Sequence, residues 1–134
     1  MVQIIDFGRS VPAAFSSSVT LPILGAPSNL TIAQFGVQVS PAGQVLLNAT
    51  VGTQTTLGAP DVLYSIFRGI TVVFTVKSSS LQPNQFNLAS FNYVDLNPPS
   101  GYTAYSLTAE ITNNLLSNRA NVIGPIVFSG LSLL

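Results

Sequence analysis

The chain has no cysteine, no histidine, and only four basic and four acidic residues among its 134. Each absence removes a class of chemistry. Without cysteine there is no disulfide framework, no thiolate nucleophile and no zinc cluster. Without histidine there is no Ser-His-Asp relay and no imidazole switch near neutral pH. The four cations, Arg9, Arg68, Lys77 and Arg119, are scattered along the chain and form no basic patch, which argues against a nucleic-acid partner. Charged residues are 6% of the sequence, against roughly 25% in an ordinary soluble domain. Long apolar runs are missing too, and nothing approaches the ~20 residues of a membrane helix, so no membrane insertion is expected. The opening ten residues carry Asp6 and Arg9, and the apolar stretch Val11–Phe15 is short and interrupted by Pro12. No conventional signal peptide is read there.

What is present is apolar and uncharged. The hydrophobic fraction is 47%, the formal net charge is zero and the mean hydropathy is +0.52. Such a surface must be covered by Ser, Thr, Asn and Gln or by other copies of the chain, since low net charge favours association. The length fits one domain with a two-layer core.

Apolar residues recur with period two, and β-branched and aromatic types dominate. Leu30–Val39 presents Thr31, Ala33, Phe35, Val37 and Val39 on one face. Gln44–Gly52 turns Val45, Leu47, Ala49 and Val51 inward and Gln44, Asn48 and Thr50 outward. Asp61–Arg68 and Ile70–Lys77 read as a hairpin, with Ile70, Val72, Phe74 and Val76 in phase after the turn. Phe86–Asp95 is less regular. Tyr102–Thr112 alternates clearly, with Tyr105, Leu107, Ala109 and Ile111 on one side. Val122–Phe128 contains Pro125, which predicts an edge strand or a bulge. Gly, Pro, Asn and Ser separate these runs, and the pattern predicts an all-β antiparallel jelly-roll sandwich of about eight strands. Leu46, Val73 and Leu133 fall on outward phases and are candidate subunit contacts.

The first eighteen residues are set apart as an extended N-terminal connector with a flexible hinge, leaving 19–134 as the jelly-roll domain. Val2, Ile4, Ile5, Phe7 and Val11 supply apolar side chains that a donated strand would carry into a neighbour's sheet. Pro12, Ser16, Ser17 and Ser18 form the hinge. The alternative is that this segment pairs within its own domain as the first strand.

Enzymatic sites are not supported. The acids Asp6, Asp61, Asp95 and Glu110 each lie near a strand end or turn, and no spacing joins two of them across a cleft. Lys77-Ser78-Ser79-Ser80 is not a Ser-Lys dyad, because adjacent strand residues point to opposite faces. Asn29-Leu30-Thr31 and Asn48-Ala49-Thr50 match the glycosylation pattern, which is common by chance in such a composition. Of the tyrosines, Tyr105 is expected in the core, and Tyr64, Tyr93 and Tyr102 at an interface or rim. No cofactor and no metal site is expected.

Five phrases stand together in order: Val51-Gly52-Thr53-Gln54-Thr55-Thr56, Val62-Leu63-Tyr64-Ser65-Ile66-Phe67-Arg68, Val94-Asp95-Leu96-Asn97-Pro98-Pro99, Tyr105-Ser106-Leu107-Thr108-Ala109-Glu110 and Val122-Ile123-Gly124-Pro125-Ile126-Val127-Phe128-Ser129-Gly130. With the opening Met-Val-Gln-Ile-Ile-Asp, this set resembles the small exosporium proteins (exosporium protein C-like) of spore-forming bacteria. The architecture is also similar to endospore appendage subunits and to C1q/TNF-like heads of spore-surface proteins. The resemblance implies an extracellular place in the spore's outermost layer or its appendages, reached without a conventional signal peptide. It implies a trimer or stacked fibre of this chain, with an anchoring spore-surface protein as a further partner. Because the chain has no cysteine, such a fibre is held non-covalently. The expectation is therefore a structural, self-assembling subunit and not an enzyme, joined by N-terminal strand donation. The alternatives are a closed-trimer C1q/TNF-like or lectin-like binding head, or a viral or phage jelly-roll structural protein.

Overall fold

Period-two apolar runs can bury one face each, so they fold stably only when two sheets close on one another. The computed structural model, which describes residues 2–79 and 82–134, has this form, and every regular element in it is a strand. In chain order these are β1 (Ile4–Ala13), β2 (Leu21–Pro22), β3 (Leu24–Gly25), β4 (Leu30–Val39), β5 (Gln44–Leu57), β6 (Asp61–Arg68), β7 (Thr71–Ser79), β8 (Phe86–Asp95), β9 (Gly101–Ile111) and β10 (Arg119–Leu133). Sheet A has the order β1-β10-β5-β8, with β2 also on β10. Sheet B has β9 flanked by β4 and β3 on one edge and by β6 then β7 on the other. The eight long strands thus form two four-stranded sets, and the chain changes sheet at every connection between them except the β6–β7 hairpin, which is the jelly roll.

The core lies between the sheets. Val37, Val45, Leu47, Val51, Ile66, Tyr105, Leu107, Ala109, Ile111, Val122, Ile126 and Phe128 are all fully buried. Phe35 sits at its centre, stacked on Tyr105 at 5.7 Å and tilted against Phe128 at 4.8 Å. Gly8 and Gly130, paired across β1 and β10, leave room for that ring; a Cβ on either would meet it at about 2.5–2.6 Å.

Irregularities explain where the sequence phase and the structure part. A bulge in β4 between Thr31 and Ala33 sends Ile32 into the core and leaves Thr31 exposed, reversing the inward assignment of Thr31. A second bulge at the β6–β7 hairpin draws Val73 against the core, so it is not a free outward contact. Ile70 and Val72 are exposed while Phe74 and Val76 pack inward. β8 alternates strictly: Asn87, Ala89, Phe91, Tyr93 and Asp95 turn inward, and Phe86, Leu88 and Val94 outward. Polar residues on the inner phase and apolar ones on the outer are what made it look irregular. Pro125 marks a bulge in β10, where the register with β5 breaks between Val122 and Ile126. That strand is central, not an edge.

The bulge fits only over glycine. A Cβ on Gly52 would collide with the Gly124 carbonyl, whereas the atoms nearest a Cβ on Gly36 belong to the phenol of Tyr102, which is 75% exposed and able to swing aside. Gly52→Ala is expected to lose about 2–3 kcal/mol of stability, and Gly36→Ala less than about 1 kcal/mol. Urea unfolding of the two variants side by side measures the difference.

Candidate assembly surfaces

The chain exposes 6951 Å². A monomeric globular protein of 14.0 kDa exposes about 6,700 Å². The surface is thus of ordinary size with only eight formally charged side chains to cover it. Antiparallel register shows how the apolar remainder is distributed, because directly paired residues share a face.

On the outer face of sheet A, Phe7 pairs with Leu131, Leu131 with Leu46, and Leu46 with Val94. This is one unbroken apolar row across four strands. Beside it Ile4 pairs with Leu133, and Leu133 with Gln44. The next row in the other direction is polar: Arg9, Ser129, Asn48 and Asn92. Arg9 is the one charge in these rows. That polar row bounds an apolar half at the end that carries the turns at 40–43 and 96–100, while toward the other end Leu88 and Phe86 are again exposed on β8. Leu46 and Leu133, read from the sequence as subunit contacts, both lie in that half.

The N-terminal residues fall differently from the connector reading. β1 pairs along its length with β10 of its own sheet, and Gln3 and Leu134 exchange backbone hydrogen bonds of 2.9 Å at its end. Pro12 lies inside β1, not in a hinge. Ser16 and Ser17 occupy a turn, and Ser18 anchors it: its backbone N–H donates to the Ile123 carbonyl at 3.0 Å, and its hydroxyl donates to the Phe15 carbonyl at 2.7 Å. In this chain residues 4–18 are thus sheet plus anchored turn, continuous with the jelly roll; Met1 lies outside the described residues. Val2, Ile4, Phe7 and Val11 are exposed and Ile5 is half-buried. The positions of β1 that turn toward the core are Gly8, Ser10 and Ala13. The strand's large apolar side chains consequently lie on its outer surface. Asp6 fastens the strand to the other sheet by accepting the Gln38 backbone N–H at 2.8 Å.

One polar cluster joins the sheets inside the sandwich. Arg68 at the end of β6 donates from Nη1 to both Asp95 oxygens at 2.6 and 2.7 Å, and the Tyr105 hydroxyl donates to Asp95 Oδ2 at 2.8 Å. Asp95 ends β8 in sheet A, while Arg68 and Tyr105 belong to sheet B. This is the one salt bridge among the described residues. The bonds to Asp95 raise the Arg68 guanidinium pKa further, and burial, followed by the Asp95 carboxylate, pushes the Tyr105 phenol well up. These bonds fasten the end of β8 in sheet A to β6 and β9 of sheet B. Sequence reading placed Asp95 among ordinary turn acids. Its inward phase after Phe91 and Tyr93 was the signal that marked it out.

Of the other tyrosines, Tyr64 is a core residue at 1% exposure, not a rim residue, Tyr93 is half-buried against Phe74, and Tyr102 is exposed. Burial pushes the Tyr64 phenol up to about 12, with the Thr53 hydrogen bond opposing. Both buried phenols hold their protons more tightly folded than unfolded. Their contribution is complete below the unfolded value near 10 and is lost as pH rises from there through the folded values. The unfolding free energy from urea titrations is expected to fall steeply between pH 10 and 12, by up to about 1.4 kcal/mol per pH unit for each phenol.

No protein-family model matches the chain, and no curated protein sequence is significantly similar to it. Solved structures are similar in fold. A chain in the structure of infectious bursal disease virus, Gx strain, superposes with a TM-score of 0.54 at 10% identity, over 99% of this chain and 37% of that one. A chain from the Gt strain gives 0.51 at 12% identity, over 98% and 35%. The chain thus spans about a third of the length of those viral chains. The fold is an all-β jelly-roll sandwich.

Proposed function

We propose that this chain is a non-catalytic structural subunit that assembles with copies of itself through the outer face of sheet A. The observation that carries the reading is the Phe7–Leu131–Leu46–Val94 row with Ile4 and Leu133 beside it. A nearly uncharged face can stack on its own copy without bringing like charges together, and its burial removes apolar area from water. The sequence resemblance to exosporium proteins supports a place in a spore-surface layer or appendage, outside the cell, with an anchoring protein as a second partner. A structural protein of a virus or phage is the second reading, favoured by the likeness in fold to the bursal disease virus chains.

N-terminal strand donation is the other route to assembly. It would transfer the backbone ladder of β1 but little core, since Gly8, Ser10 and Ala13 are the residues it would insert. The routes separate with an engineered cross-link. Arg9 and Ser129 are direct cross-strand partners, and the cysteine-free chain lets Arg9→Cys with Ser129→Cys form one defined disulfide. With β1 locked on its own β10, face stacking predicts assembly unchanged by sedimentation velocity. A locked protein that stays monomeric, and assembles once reduced, would establish strand donation instead.

A further inference from the structure

The outer face of sheet B has a different chemistry. Thr31, Thr108, Ser65 and Thr75 form one cross-strand row of four hydroxyls, and Gln34, Ser106, Phe67 and Val72 form the next. Over these rows lies an open groove of about 310 Å³, lined by Asn29, Thr31, Ser106, Thr108, Phe67 and Ile70. Thr108 is 5% exposed and lines the groove beside Thr31 and Ser106. Bulging of β4 at Ile32 is what keeps Thr31 on this face. Ile70, at the β6–β7 turn, is 97% exposed, although a side chain of that size would ordinarily be buried.

We propose that this groove binds a neutral saccharide. Its lining contains no charged side chain, so nothing in it would attract or neutralise an ionic ligand. Its polar groups are three hydroxyls and one amide, each able to donate and to accept, as the hydroxyls of a sugar ring require. Phe67 and Ile70 supply apolar surface for the C–H face of the same ring. A mixed apolar and polar concavity of this kind is the usual form of a small-ligand site. The groove lies on the sheet opposite the proposed assembly face, so an assembled subunit would still present it to solution. The inference does not depend on the assembly reading.

Saturation-transfer difference NMR suits the full chain whether assembled or dispersed. The probes are cellotetraose, maltotetraose and tri-N-acetylchitotriose. Saturable transfer to at least one is expected, with affinity reduced at least about 10-fold in Ser106→Ala/Thr108→Val, which removes two hydroxyls and keeps the shape of the strand. Ile70→Asp, at a site too exposed to affect folding, is expected to weaken binding as well. Absence of saturable transfer from all three probes overturns the proposal. So does binding that both variants leave unchanged.

Discussion

Asp95→Ala is expected to lower the unfolding free energy by about 3 kcal/mol. That is the lower end of the range for breaking a buried pair, because the Arg68 side chain is 23% exposed and can turn toward water. The loss is large against the 5–15 kcal/mol that holds a domain of this size. The carboxylate accepts from Arg68 and Tyr105 together, so its removal leaves two donors of sheet B without their partner in sheet A. Tyr105→Phe deletes a single bond to the carboxylate and should cost less, about 1.5–2 kcal/mol. Arg68→Ala with Asp95→Ala should cost clearly less than the sum of the single changes, since each single change already breaks the pair. Urea unfolding of the four variants measures the cycle. An Asp95→Ala variant as stable as the parent would show that the sheets are held by apolar packing alone.

The second large effect concerns assembly and leaves the fold intact. Phe7→Lys with Leu46→Lys places two charges in the apolar row of sheet A, separated by β10 so that they do not face each other directly. In the dispersed chain both ammonium groups reach water. In a stacked pair of faces they would be desolvated without partners, at a cost of several kcal/mol. Self-association should weaken by at least about 1,000-fold, to a sedimenting species of the 14.0 kDa chain. The unfolding free energy in urea should stay within about 1 kcal/mol of the parent. Gln38→Lys, an exposed change on sheet B, is the control and should leave association unaltered. Equal sedimentation of the double variant and the parent would remove sheet A's face from the account.

The local part of this fold could be read directly from the sequence. The boundaries of Leu30–Val39 and Phe86–Asp95 follow from Gly, Pro and Asn punctuation, and the inward set Val45, Leu47, Ala49 and Val51 follows from strict alternation. Phase was misread where one residue is inserted, as at Ile32 and Val73, because a bulge shifts alternation without changing composition. The candidate surfaces were legible only residue by residue. Leu46 and Leu133 could be assigned outward from their own strands, but that Leu46 stands between Leu131 and Val94 depends on register across three chain segments. Arg68, Asp95 and Tyr105 are brought together by the closing of two sheets, which no local pattern encodes. The N-terminal segment was ambiguous because its apolar residues signal a strand without saying which side is covered. The small residues Gly8, Ser10 and Ala13 carry that information.

Electron microscopy of the purified, unmodified chain across a range of concentrations shows whether the subunits assemble and by which face. Regular assemblies are expected in which subunits meet through the outer face of sheet A, as a layer or fibre for a spore-surface protein and as a closed shell for a viral one. Dispersed 14.0 kDa particles at every concentration, or assemblies that leave the Phe7–Leu131–Leu46–Val94 row facing solvent, would contradict that expectation.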